Sequence, residues 1–263
     1  MSTVAVDALQ SEINRTRELT RSLTADEWAA PSGCTGWSVQ DVICHMASVF
    51  HTIADPSTID GGDSDDAEAN AEVPVQARRG WSAHQIIDEY DTWSSKGFAA
   101  LSSLQQPPMA DVVIPLANLG SHPMHILCNA IVFDHYCHLR HDIGHAVARA
   151  AELPEDEEAL AATLEWMLAG LPQMCRGALA DCTQGVNLSF VGPAAGTYVL
   201  APGSDLWTVT PGCDAKFPIA VTSAHSFVSW GTKRSDWHNH VTVEGDAAMA
   251  IAAAPTLDAI NVI

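Results

Sequence analysis

The residues best suited to chemistry lie in one stretch, Asp134-His135-Tyr136-Cys137-His138-Leu139-Arg140-His141-Asp142-Ile143-Gly144-His145. Asp134 and His138 are four apart, a spacing that stacks two side chains on one face of a helix. A carboxylate and an imidazole converging in this way supply half of a divalent-metal site. Two readings stand for the pair: the groups bond to each other, or both ligate a cation. An unpartnered inward carboxylate is costly, and a cation would satisfy it. A third ligand must come from another segment, and His45 is the candidate, because it shares the inward stripe Val42, Met46, Val49 and Ile53. Three protein ligands would leave a fourth position open for water or substrate. If the three residues share a cation, the imidazoles of His45 and His138 must lie within about 8 Å of each other.

The neighbouring groups read differently. His141 or Asp142 is placed to orient a ligand ring. His145 continues the stripe by one turn, and His135 lies about sixty degrees off it, within reach of a pocket rim. His125 is off the stripe and reads as structural. His238 and His240 lie on one side of an expected strand, more in keeping with a solvent-facing pair than with ligands. Cys34 and Cys44 bracket a short segment, but His45 points away from Cys44 on a helix, so a nucleophilic cysteine is disfavoured. No Gly-x-Ser-x-Gly, phosphate loop or Gly-x-Gly-x-x-Gly is present.

The elements that must position these groups are helical in the first half. Residues 4–22 carry Val6, Leu9, Ile13 and Leu19 at helical spacing. Thr24-Ala25-Asp26-Glu27 is a capping box, and Ser38-Val39-Gln40-Asp41 opens a helix over 39–53. Trp81-Ser82 opens another, to about 104. A fourth follows Ser121-His122-Pro123 and runs to about 151, carrying Asp134, His138, Asp142 and His145 on one stripe. Residues 54–80, rich in Asp, Glu and Gly, read as a solvated surface connection, with a lid as the lesser reading. A further helix starts at Pro154-Glu155-Asp156-Glu157. Beyond Gly185 the period drops to two, with strands expected over 186–191, 197–201, 206–210, 219–222, 227–230 and 241–244, then a short helix over 247–253. The expected architecture is a helical domain, residues 1–172, followed by a small mixed α+β domain, residues 173–263.

Composition narrows the classes. Thirty-two acidic against 12 basic residues give a net charge of −20, which disfavours nucleic acid and anionic membrane surfaces as partners. Seven cysteines without a Cys-x-x-Cys pair point to free thiols in a reducing compartment. The start of the chain lacks a basic segment followed by an apolar one, so a cytoplasmic location is expected.

The segment from Trp28 to His45 resembles the opening of the DinB-like, mycothiol-dependent maleylpyruvate isomerase family, meeting the pattern W-x-x-P-[ST]-x-C-x-G-W-[ST]-V-x-[DE]-[LV]-x-x-H throughout. Asp134-x-x-x-His138 is similar to the family's acid-x-x-x-His element, and Val241-Thr242-Val243-Glu244-Gly245-Asp246-Ala247-Ala248 to its second domain. The resemblance implies a four-helix bundle holding one divalent metal, with zinc the expected ion and His45, Asp134 and His138 the ligands. It implies a low-molecular-weight thiol cofactor such as mycothiol, and a catalytic arginine matched here by Arg234. Two positions depart from the pattern. The helix acid is Asp134 where Glu is usual, and the acid past the histidine comes one residue late, as Asp142, with His141 in its usual place as a ligand or base. The expected function is a mycothiol-dependent isomerase or thiol S-transferase acting on a small electrophile, its partners being that electrophile and the thiol, as a monomer or dimer. The alternatives are a metal-dependent hydrolase on the same scaffold and a non-catalytic metal-binding or stress protein.

Overall fold

The computed structural model describes residues 3–263, which divide into two compact units on either side of the 154/155 boundary. In the first unit, four long helices pack as a bundle: α1 (Thr3–Ser22), α3 (Val39–Ala54), α5 (Ala83–Ser103) and α6 (Leu127–Cys137). A short α2 (Ala25–Ala29) leads into α3, and α4 (Ala67–Arg78) leads into α5. The helix starts follow local chemistry. Thr24 with Glu27, Ser38 with Asp41 and Ser82 with Gln85 each form a reciprocal capping box, which satisfies amide donors that the first turn leaves open.

Helices α3 and α5 cross closely at Gly97, where a Cβ would overlap the ring of Phe50 and lie 3.0 Å from its Cβ. Phe50 is fully buried, so the ring has little room to yield. Gly97→Ala is expected to destabilise the first unit by about 1–3 kcal/mol through overpacking, despite the better helix propensity of alanine. A lower urea midpoint checks it, and an unchanged or raised midpoint would contradict it.

Two expectations fail in this unit. The acidic segment 54–80 is not a plain connection: it contains α4, started by the Asp66 side chain accepting from the Glu68 amide, with Pro74 and Val75 buried. The fourth helix does not run unbroken to 151. It ends as α-helix at Cys137 and continues as a π-helical turn, His138–Ile143, closed by the Gly144 amide donating to the Leu139 carbonyl at 3.0 Å. The chain then resumes as α7 (Ala148–Ala151), which leaves His145 exposed and not on a buried stripe. A π turn takes an extra residue per turn and so rotates everything that follows. A two-stranded antiparallel hairpin, β1 (Val113–Pro115) and β2 (Ser121–Pro123), precedes α6.

The second unit contains α8 (Glu157–Met174), α9 (Arg176–Leu179) and a mixed five-stranded sheet of order β5-β4-β3-β6-β7. Its strands are β3 (Val186–Val191), β4 (Gly196–Ala201), β5 (Thr208–Pro211), β6 (Ile219–Ser223) and β7 (Thr242–Glu244); β3 and β6 are parallel and the other neighbours antiparallel. Helices α10 (Ala224–Gly231) and α11 (Ala247–Ala259) complete it. Helix α8 packs on α10 and β5, so the division falls at 154/155 and not at the sequence-based 172/173. Residues 227–230, expected as a strand, are helical. The Ser223 side chain caps the Ser226 amide, and Ala224, Phe227, Val228 and Gly231 repeat at i, i+3, i+4 and i+7, all buried. His238 and His240 lie in and just after a 3₁₀ turn, not on a strand; His238 is exposed and bonded to Asp236. No helix among the described residues is long and apolar enough to cross a membrane.

Candidate metal centre

Helix α3 presents His45 toward α6 from the bundle interior, flanked by the buried Cys44 and Met46. Helix α6 presents Asp134 near its end, and His138 opens the π turn one turn later. His45 Nε2 lies 3.0 Å from Asp134 Oδ1, and His138 Nε2 lies 3.4 Å from the same oxygen. The two imidazole centroids are 5.0 Å apart at 79°, inside the limit set from the sequence. All three side chains are 12–16% exposed, the condition of groups lining a cleft.

These separations suit a shared cation. Ligand bonds of about 2.0–2.1 Å in a tetrahedron place neighbouring donor atoms about 3.3 Å apart, and the two observed edges bracket that value. Asp134 Oδ2 is buried without a hydrogen-bond donor, while Oδ1 faces both rings. A divalent ion would draw on that unused capacity. Two nitrogens and one carboxylate oxygen are also a donor set that zinc accepts while keeping a position open. The residues therefore fit the group that the sequence resemblance implied.

The support behind the rings is unequal. His138 Nδ1 lies 2.7 Å from Asp142 Oδ2, and Asp142 is fully buried. A carboxylate on the outer nitrogen fixes the ring and leaves Nε2 turned toward Asp134 and His45. Of His141 and Asp142, it is Asp142 that contacts the His138 ring. His141, half-buried in the same turn, belongs to neither group of converging donors among the described residues. His45 Nδ1 is buried with no hydrogen-bond partner, so this ring is held by packing, with Trp37 at 5.3 Å between centroids. Trp37 is in turn fixed by its indole N–H donating to Glu72 on α4 at 2.5 Å. Neither Trp37 nor Glu72 was singled out from the sequence. The Gly-Trp-Ser run ahead of the Ser38 cap was the available signal for Trp37; nothing local marked Glu72.

A loop docks on the π turn beside His138. The Gly33 amide donates to the Asp142 carbonyl at 2.9 Å, and a Cβ at Gly33 would meet Asp142 Oδ1 at 2.8 Å. That close approach brings Cys34 Sγ to 3.9 Å from His138 Nδ1. Cys44 is elsewhere: its sulfur lies 4.0 Å from the Pro74 carbonyl, and burial pushes its thiol up to about 12, which makes it inert. His135 does not reach a rim. It is fully buried, its Nε2 accepting from Tyr90 at 2.9 Å and its Nδ1 donating to the Ile131 carbonyl. His125 is structural, bonded through Nδ1 to the Ala110 carbonyl. Arg234 is exposed in the second unit, in the turn after α10.

Without a cation the cluster holds a proton instead. Burial disfavours a charged His138, but Asp134 and Asp142 outweigh it and raise its pKa well above the ordinary 6.5. Burial likewise opposes ionisation of Asp134, and the two histidines overcome it and hold its carboxyl well below 3.8. A His138 pKa raised on folding stabilises the metal-free protein fully below about 6.5, and that contribution is lost as pH rises through the folded value. Metal binding must expel this proton, so affinity is expected to rise about tenfold per pH unit between 6.5 and the raised pKa. Calorimetric titration in buffers of different ionisation enthalpy should report close to one proton released; a pH-independent affinity would contradict it.

Residues 9–116 match the model of the mycothiol maleylpyruvate isomerase N-terminal domain. His45 and Trp37 lie within the matched residues, and Asp134, His138 and Asp142 follow them. The fold is similar to a crystal structure of mycothiol-dependent maleylpyruvate isomerase, with a TM-score of 0.58 at 16% identity over 93% of this chain and 96% of that one. A mutant of that isomerase matches with the same score and coverage at 15% identity. The helical bundle followed by a mixed sheet is thus the architecture of the maleylpyruvate isomerase structures. No curated protein sequence matches the chain.

Proposed function

We propose that the protein is a metal-dependent enzyme that activates a low-molecular-weight thiol, mycothiol in the first instance, for attack on a small electrophile. The observation that carries this reading is the convergence of His45 Nε2, Asp134 Oδ1 and His138 Nε2 in a half-buried cleft of a chain whose residues 9–116 match this domain model. A divalent ion there, zinc by its donor set, would supply positive charge that keeps a thiol sulfur deprotonated at neutral pH. The chain's own residues do the rest. His45, Asp134 and His138 would hold the ion. Asp142 keeps the His138 ring in the orientation that turns Nε2 inward. Trp37 walls the cleft beside His45 with an apolar face. His141, in the turn that carries His138, is assigned to proton transfer. The sulfur adds to an electrophilic carbon; a transferase keeps the adduct, and an isomerase, acting on an activated C=C bond, expels the thiol and re-forms the double bond after rotation about the carbon–carbon bond that addition left single. Both small molecules are taken to be cytoplasmic.

Elemental analysis of the purified protein, followed by thiol consumption with mycothiol, glutathione and bacillithiol against a panel of electrophiles, tests the reading. The expected result is one divalent ion per chain and metal-dependent loss of thiol. Protein that neither carries nor takes up an ion sinks it. Metal-dependent hydrolysis without thiol loss would move the function to the hydrolase alternative.

A further inference from the structure

We propose that the Nδ1 face of His138 is the core of a second cation site, completed by Cys34 Sγ and Asp142 Oδ2 and suited to a thiophilic divalent ion. The two nitrogens of an imidazole point away from each other. A cation held through Nε2 with His45 and Asp134 therefore cannot be the one that Cys34 reaches. Cys34 Sγ lies 3.9 Å and Asp142 Oδ2 2.7 Å from Nδ1, and the three donor atoms lie within 4.8 Å of one another. Tetrahedral bonds of about 2.3 Å to sulfur and 2.0–2.2 Å to nitrogen and oxygen call for edges of about 3.3–3.6 Å. The sulfur must close by a few tenths of an ångström, and the nitrogen–oxygen pair must open by about half.

The position of the sulfur is built. The Gly33 amide is tied to the Asp142 carbonyl, no Cβ fits at Gly33, and the Cys34 amide donates to the buried Ser32 hydroxyl at 3.1 Å. Binding releases the thiol proton of Cys34 and the proton shared between His138 and Asp142, and both go to solvent. A neutral His138 can then offer only one nitrogen. The soft site and the His45 site accordingly compete for a single ring, with thiolate favouring a soft divalent ion such as cadmium and the carboxylate set favouring harder ones. The inference shares His138 with the proposed function but does not need that site to be filled.

The test is titration of the metal-depleted full chain with cadmium, read by the ultraviolet thiolate-to-cadmium charge-transfer band. The wild type should develop the band of one thiolate, saturating at one equivalent. Cys34→Ser should lose it and still bind cadmium through His45, Asp134 and His138. His45→Ala should keep it, because His45 belongs only to the other face. Absence of the band, or its survival in Cys34→Ser, overturns the proposal; so does its loss in His45→Ala, which would mean one site containing both residues. If the band follows Cys34 while no ion binds without it, the second site stands and the His45 reading fails.

Discussion

His138→Ala is expected to lower affinity for a divalent ion by more than about 100-fold. Structural zinc sites of four ligands are worth about 10–16 kcal/mol, so one ligand accounts for about 3 kcal/mol. His138 has a larger claim than its partners. Its Nε2 is the only nitrogen from α6 or the π turn that faces Asp134 Oδ1 alongside His45, and its ring is the one that a buried carboxylate orients. Asp142→Asn keeps the shape and removes the charge behind the ring, and should weaken binding by about 10–100-fold. The two effects should rank in that order by calorimetry, with far-ultraviolet circular dichroism unchanged, since His138 is half-buried and its loss leaves the helix contacts of Leu139 and Tyr136 in place. Stoichiometric metal retained by His138→Ala would remove it from the ligand set and leave the cluster as a hydrogen-bonded pair.

The convergence of α3 on α6 was legible because both elements announce themselves locally. Ser38 and Asp41 start α3 by a reciprocal cap, and His45 then falls on a stripe whose neighbours are apolar. Asp134 and His138 need only the i, i+4 rule. What could not be read was how the helix continues. Asp142 follows His138 by four residues, which on an unbroken α-helix places it beside His138 and one further turn along the Asp134 row. The π turn alters the rotation, so Asp142 meets the outer nitrogen and His145 leaves the bundle altogether. Single-turn π segments carry no periodicity of their own, so the late acid in the sequence was visible while its cause was not.

The fold misread at α4 and α10 has a different origin. Helix α4 is acidic, weakly amphipathic and contains Pro74, so composition pointed to a solvated loop; it is ordered by tertiary partners, with Glu72 taking the Trp37 indole and Arg78 gripping Glu89. Residues 227–230 are short and apolar, the case in which a buried helix and a buried strand look alike. The Ser223 cap at the end of β6 decides it. Helix α8 shows a third limit: its apolar face was evident, but which body that face covers is a question of packing that no local pattern answers.

The buried pair that anchors the π turn to α1 should give the largest effect on stability. Glu12 and Arg140 have no side-chain exposure, and two guanidinium nitrogens meet the two carboxylate oxygens at 3.0 Å. Arg140 also donates to the Pro154 carbonyl at 2.7 Å and lies 3.8 Å over the Tyr136 ring. Glu12→Gln would leave the guanidinium buried without its counter-charge, which costs about 3–5 kcal/mol. For a unit of this size that corresponds to a fall of about 6–20 °C in the melting temperature. The Glu12→Leu, Arg140→Met double variant removes both charges and should recover most of the loss, because two desolvation penalties vanish with the attraction. Arg140 stands between His138 and Asp142 in the turn, so a loosened pair should also weaken cation binding. Saturating cation would then raise the melting temperature of Glu12→Gln, by linkage worth about 2.7 kcal/mol at a hundredfold excess over the variant's own Kd. A Glu12→Gln protein within about 1 kcal/mol of wild type would show that the Pro154 carbonyl and the Tyr136 ring suffice for the guanidinium, and that the π turn does not rely on α1.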